Sequence, residues 1–86
     1  SYPGVDEAAI IGVPDDYWGE RVRAIVVRKP GAHVTAAELI DHCRPRMAGF
    51  KRPEDVVFIK ELPRNPMGKV LKRVLREEHG QPMKAG

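Results

Sequence analysis

Hydroxyl side chains are nearly missing from this 86-residue chain: Ser1 is its only serine and Thr35 its only threonine. With Thr35 read as a helix cap, no serine-hydrolase nucleophile remains. Cysteine is equally scarce. The single Cys43 cannot close an internal disulfide, so the fold owes nothing to oxidation and suits a reducing compartment, the cytoplasm by default. Its neighbour His42 is poorly placed as a base, because consecutive helical residues point about 100° apart. His33, His42, His79 and Cys43 show none of the CxxC, HxxxH or HExxH spacings, so no metal site is expected. No apolar run approaches the ~18–20 residues of a membrane span, and Ser1-Tyr2-Pro3-Gly4 lacks the basic and apolar regions of a signal peptide.

What is present is enough for one domain and no more. Leu, Ile, Val and Phe make up 21 of the 86 residues, above the level of a disordered chain. The net charge of +3 hides an asymmetry: residues 1–20 carry five acids and no Lys or Arg, whereas residues 21–86 carry fifteen bases against seven acids. Two clusters hold most of the basic charge, Arg44, Arg46, Lys51 and Arg52, then Arg64, Lys69, Lys72, Arg73 and Arg76. Such clusters fit nucleic acid, a phosphorylated small molecule, an acidic lipid surface or a plain solvated face, and charge alone does not choose.

The apolar run Ala8–Val13, closed by Pro14-Asp15-Asp16, reads as a buried strand ending in a turn. Arg21–Lys29 reads as a second strand, with Val22, Ala24 and Val26 on one face against Arg21 and Arg23 on the other. Thr35-Ala36-Ala37-Glu38 has capping-box spacing and opens a helix to about Met47, with Pro45 shortening or kinking its last turn and Gly49 stopping it. Asp55–Lys60 predicts a third strand. From Lys69, the stripe Val70, Leu71, Val74 and Leu75 predicts a second helix that Gly80 and Pro82 end, leaving a tail over 80–86. The order β, β, α, β, α predicts an α+β fold: a small, three-stranded, mostly antiparallel sheet covered by two helices.

Gly68-Lys69 invites comparison with a phosphate-binding P-loop and fails it. That loop needs a glycine where Pro63 stands and a Ser or Thr where Val70 stands. What remains is a lysine on a loop stiffened by Pro63 and Pro66, preceded by a glycine that tolerates positive φ and leading into a helix. A cation so near a helix N-terminus opposes the helix dipole, which counts against a purely structural role.

Phe50-Lys51-Arg52-Pro53, Val56-Val57-Phe58-Ile59 and Leu62-Pro63-Arg64-Asn65-Pro66-Met67-Gly68-Lys69-Val70-Leu71-Lys72-Arg73 stand in that order along the chain. Together with Pro3-Gly4-Val5, Ala8 to Asp15 and Trp18-Gly19-Glu20, they resemble the C-terminal lid domain of AMP-forming acyl-CoA synthetases, in the adenylate-forming superfamily. The resemblance runs from about residue 2 to residue 79. It implies that residues 1–86 are the mobile lid of a carboxylate–CoA ligase whose N-terminal ATP and acyl domain, with the hinge, lies outside this chain. The fragment alone is therefore expected to be inactive.

The implied substrates are a carboxylic acid, ATP and coenzyme A, with Mg2+ expected on the N-terminal domain. Lys69 matches the family's catalytic lysine, with Asn65 and Gly68 beside it in the ATP phosphate loop. Trp18, Gly19, Phe50, Lys51 and Arg52 are looser candidates for CoA contacts, the aromatics for adenine and the bases for phosphates. The alternatives are the lid of a peptide-synthetase-type adenylation domain, in which Gly-Lys-Val often continues with an aspartate where Leu71 stands, and a stand-alone basic module for nucleotides or nucleic acid. Against the last, Phe50 is the only aromatic beside a basic cluster and no RNP, helix-turn-helix or zinc signature occurs, so no nucleic-acid partner is expected.

Overall fold

The computed structural model describes residues 2–47 and 49–83. Residues 84–86 of the expected tail, and the side chain of Phe50, lie outside the described set. Three strands form one sheet in the order β1-β2-β3: β1 Val5–Asp15, β2 Gly19–Arg28 and β3 Asp55–Phe58. The β1–β2 pair is an antiparallel hairpin, from Val5 opposite Arg28 to Asp15 opposite Gly19, with one irregularity between Val5 and Glu7. The β2–β3 pair is parallel, from Arg23 opposite Asp55 to Val26 opposite Phe58. The sheet is therefore mixed, because the connection from β2 to β3 carries helix α1, Ala36–Cys43, and brings the chain back in the same direction.

Central strand β2 explains its own composition. Ile25 and Val27 face a core with Ile11, Val13, Leu62 and Leu75, the last from helix α2, Lys72–His79. Ala24 and Val26 face a second core with Val34 and with Leu39 of α1. Adjacent residues point to opposite faces of a sheet, so the two helices cover opposite sides and β2 is apolar on both. At about 25 cal/mol per Å2, burying Ile25 and Leu75, both 0% exposed, contributes about 1.5–3 kcal/mol each.

Element ends differ from the sequence reading for local reasons. Strand β1 runs through Pro14 to Asp15, since β1 is an edge strand, where a missing N–H is tolerated. Helix α1 stops at Cys43 rather than near Met47. Pro45 has no N–H to continue the ladder, and the N–H groups of Arg46 and Met47 both turn back to the Cys43 carbonyl at 3.0 Å. A 3-10 turn, Gly49–Lys51, leads to β3, which ends at Phe58 although the Ile59 N–H still donates to the Val26 carbonyl at 2.9 Å.

Thr35 does cap α1, its Oγ1 accepting from the Glu38 N–H at 3.2 Å, but the Glu38 carboxylate accepts from the Tyr2 hydroxyl at 3.4 Å instead of completing a capping box. Helix α2 begins at Lys72, three residues later than the stripe implies. Val70 is held in an antiparallel bridge with Arg64, and the Leu71 N–H donates to the Pro63 carbonyl at 2.9 Å, so residues 69–71 are not free to coil.

Candidate functional site

The Gly-Lys pair sits on a small hairpin of its own. The Gly68 N–H donates to the Asn65 carbonyl at 2.9 Å, closing a four-residue turn with Pro66 and Met67 at its centre. Among the described residues only glycines have positive φ, and Gly68 has φ +86°. That combination, a type I turn followed by a left-handed glycine, is the sequence logic of Asn-Pro-Met-Gly: proline presets the first corner and glycine supplies the conformation other residues resist.

Asn65 does more than start the turn. Its Oδ1 accepts from the N–H of Met67 at 2.9 Å and of Lys69 at 3.0 Å, and its own N–H donates to the Lys69 carbonyl at 2.9 Å. The Gly68 carbonyl is bonded too, accepting from Arg64 Nη1 at 2.7 Å, and Arg64 Nη2 is paired with Glu7 on β1. Every backbone polar group of Lys69 is thereby satisfied, while its side chain is exposed and its ammonium has no partner among the described residues. The arrangement is a fixed backbone presenting one free cation. Because Lys69 precedes α2 by a bridge and a cap residue, the expected conflict with the first helical turn does not arise, and Lys72 takes that position instead.

The second set of candidates gathers at the other end of the sheet. Between β1 and β2 the Asp15 carboxylate, through Oδ2, accepts from the N–H of Trp18 at 2.7 Å and of Tyr17 at 3.0 Å, and Gly19 at φ +84° returns the chain into β2. Those two bonds, Trp18 first, together with the Arg21 guanidinium at 3.5 Å, hold the Asp15 carboxyl below its ordinary pKa. Arg21 also bonds Glu54 at 3.0 Å, and that bond, with Asp15 as second partner, keeps its guanidinium charged beyond the ordinary range. The bonded turn leaves Trp18 72% exposed, its ring edge-on to Tyr17 with centroids 4.5 Å apart.

A groove of about 430 Å3 is lined by Trp18, Arg21, Gly49, Arg52 and Glu54 among others, so two of the CoA candidates, Trp18 and Arg52, are brought together. Arg52 is steadied by donating to the Arg44 carbonyl at 3.2 Å. Gly19 is in the adjoining turn with open space around it. Lys51 is exposed on the 3-10 turn, and the Phe50 side chain lies outside the described residues. Arg21 and Glu54 belong to this groove without any signal in the sequence, because their pairing depends on β2 and the segment before β3 lying side by side.

Lys69 is not part of that groove. Its loop is tied to Glu7, and the Trp18 turn starts at Asp15, eight residues further along β1, which is roughly 26 Å at about 3.3 Å per residue. The described residues contain no group of three or more His, Cys, Asp or Glu side chains able to hold a metal ion, and no helix long and apolar enough to cross a membrane.

Known proteins carry the same architecture. The chain is 53% identical over 75 residues, 87% of its length, to a CoA ligase of Rhodococcus jostii named for a methyl-dioxo-octahydroindenyl-propanoyl group, and it covers 15% of that protein. It is 47% identical over 77 residues, 90% of its length, to a long-chain-fatty-acid–CoA ligase of Mycobacterium tuberculosis, again covering 15% of the relative. The ATP-bound structure of MatB from Rhodopseudomonas palustris superposes with a TM-score of 0.88 at 46% identity, over 93% of this chain and 16% of that one. The chain thus spans about one sixth of the length of these relatives. With the model of the AMP-binding enzyme C-terminal domain matching residues 1–69, the chain belongs to that family, as the C-terminal domain of an adenylate-forming enzyme.

Proposed function

We propose that this domain is the lid of an ATP-dependent carboxylate–CoA ligase acting in the cytoplasm. The observation that carries the reading is the exposed Lys69 ammonium on a turn that bonds both the N–H and the carbonyl of Lys69. In the first step a carboxylate oxygen attacks the α-phosphorus of ATP, the acyl–oxygen–phosphorus link forms, the bridge to the β-phosphorus breaks and pyrophosphate leaves. Two anions must meet. One ammonium directed between them lowers their repulsion and follows the charge that moves onto the α-phosphate oxygens. In a closed, water-poor cleft such a contact supplies about 3–4 kcal/mol, or 10²–10³ in rate. Magnesium, expected on the larger domain, has no ligand set among the described residues of this one.

In the second step the CoA thiolate attacks the acyl carbonyl carbon, the carbon–sulfur bond forms, the carbon–oxygen bond breaks and AMP leaves. The Trp18–Arg52 groove suits the nucleotide end of CoA, an aromatic face beside a guanidinium, with Arg21 neutralised by Asp15 and Glu54. Its separation from Lys69 supports a lid that turns between steps, offering one end to adenylate formation and the other to thioester formation.

The test uses the whole protein. Lys69→Ala is expected to lower carboxylate-dependent ATP–pyrophosphate exchange by 10²–10³ while sparing thioester formation from supplied acyl-adenylate. Wild-type exchange in the variant overturns the assignment.

A further inference from the structure

Resting on the reading of Lys69 as the group that meets the reacting anions, we propose that Arg64 and Glu7 form a positioning pair that sets the direction in which Lys69 is presented. The turn fixes the shape of residues 65–69, but shape is not direction. Pro66, Met67, Gly68 and Lys69 are all exposed, Met67 at 91%, and a Cβ at Gly68 would meet nothing within 4 Å. No packing therefore holds the tip against the sheet.

One side chain does. Arg64 donates from Nη1 to the Gly68 carbonyl at 2.7 Å, and its Nη2 pairs with Glu7 Oε1. Among the described residues this is the only side-chain bond running from residues 64–69 to a strand of the sheet. The Gly68–Lys69 peptide is gripped at both ends, its oxygen by Arg64 and its N–H by Asn65, and Arg64 refers that grip to β1. The planar guanidinium suits the task because its two terminal nitrogens bond different partners in a fixed plane, which an ammonium on a flexible stem does not reproduce. A misplacement of about 1 Å in an oriented reacting group costs on the order of 10² in rate. Arg64 and Glu7 touch no reacting atom and act only through Lys69.

The experiment uses the whole protein and, from a panel of fatty and aryl acids, the acid giving the fastest wild-type exchange. It measures pyrophosphate exchange and thioester formation from supplied acyl-adenylate for Arg64→Met, Arg64→Lys, Glu7→Gln, the double variant Arg64→Met with Glu7→Gln, and Lys69→Ala. Arg64→Met should lower kcat of exchange by about tenfold to a hundredfold, with KM for ATP within about twofold and the thioester step unchanged. Glu7→Gln should lower it less and add nothing in the Arg64→Met background, and Arg64→Lys should recover part of the loss. Wild-type exchange in Arg64→Met and Glu7→Gln, with Lys69→Ala crippled, overturns the pair and leaves the Lys69 reading standing. Wild-type exchange in Lys69→Ala overturns that reading and the pair with it. Equal loss in both half-reactions marks a merely structural role and also overturns the proposal. If Arg64→Met does not fold, Glu7→Gln and Arg64→Lys decide by the same criteria.

Discussion

Asn65 holds Lys69 from both sides: its side-chain oxygen accepts from the Lys69 N–H at 3.0 Å, and its backbone N–H donates to the Lys69 carbonyl at 2.9 Å. Truncating the side chain removes only the first bond. In Asn65→Ala the N–H groups of Met67 and Lys69 turn to water, so the expected loss of stability is small, about 0.5–1 kcal/mol. The expected loss of function is larger, about tenfold in pyrophosphate exchange by the whole protein, because the lysine's backbone is no longer fixed. Asn65→Asp keeps an acceptor oxygen and should keep the turn. Exchange kinetics beside a thermal melt separate the two effects.

Gly68 tests the same loop through its backbone. A methyl group there meets no atom within 4 Å, so Gly68→Ala creates no clash and its whole effect comes from φ +86°. Holding an alanine in the left-handed region costs roughly 1–2 kcal/mol. Urea denaturation of the domain should show a loss of that size. A larger one would mean that the tip packs against something.

Trp18 and Arg52 line one groove while Lys69 stands at the far end of the sheet, so their substitutions should affect different half-reactions. Trp18→Ala in the whole protein is expected to raise KM for CoA several-fold and to leave pyrophosphate exchange unchanged. Steady-state kinetics with CoA varied checks the first, and exchange without CoA checks the second.

The strands and helices were legible because period-2 and helical spacings are local properties. The Thr35 cap and the apolar positions of Arg21–Lys29 follow from neighbours in sequence, whereas Ala8–Val13, read as a buried strand, lies on edge strand β1 with Ile10 37% exposed. The mixed sheet was harder to see: nothing in Asp55–Phe58 says whether it pairs parallel or antiparallel, and only the α1 crossover decides. Gly68 and Lys69 stood out through turn chemistry and Asn65 through the family resemblance, whereas the Arg64–Glu7 and Arg21–Glu54 pairs join residues far apart in the chain and leave no pattern. Arg23 was misread for the same reason, as the polar side of a strand face when it is 7% exposed.

Asp15 gives the hairpin a pH dependence whose sign follows from its depressed pKa. A carboxyl with a lower pKa folded than unfolded stabilises the fold above the unfolded value, near 3.8, and that contribution is lost as pH falls through the folded value. The melting temperature should therefore be insensitive to this group at neutral pH and should decline below about pH 4. In Asp15→Asn, which keeps an oxygen for the Trp18 and Tyr17 N–H groups, this part of the acid decline should disappear. Melting curves of both proteins between pH 7 and pH 2 make the comparison.

Arg23 closes the structure more than any other polar residue. Its Nε and Nη2 grip both oxygens of Asp55 at 2.8 Å, and Nη1 donates to the carbonyls of His79 and Gln81, each at 2.7 Å. One side chain on the central strand thus joins β3 to the end of α2, where helical carbonyls lack partners and a cation is favoured by the helix dipole. Arg23→Met fits the volume but strands those carbonyls and leaves Asp55 unpaired. Because the Asp55 side chain is 37% exposed, water recovers part of its solvation, and the cost should fall at about 2–3 kcal/mol, below that of a fully buried broken pair. Asp55→Asn keeps an oxygen toward Arg23 and should cost less. Urea denaturation of both variants tests the order, and an Arg23→Met loss below that of Asp55→Asn would show that α2 is held by its Leu75 packing alone.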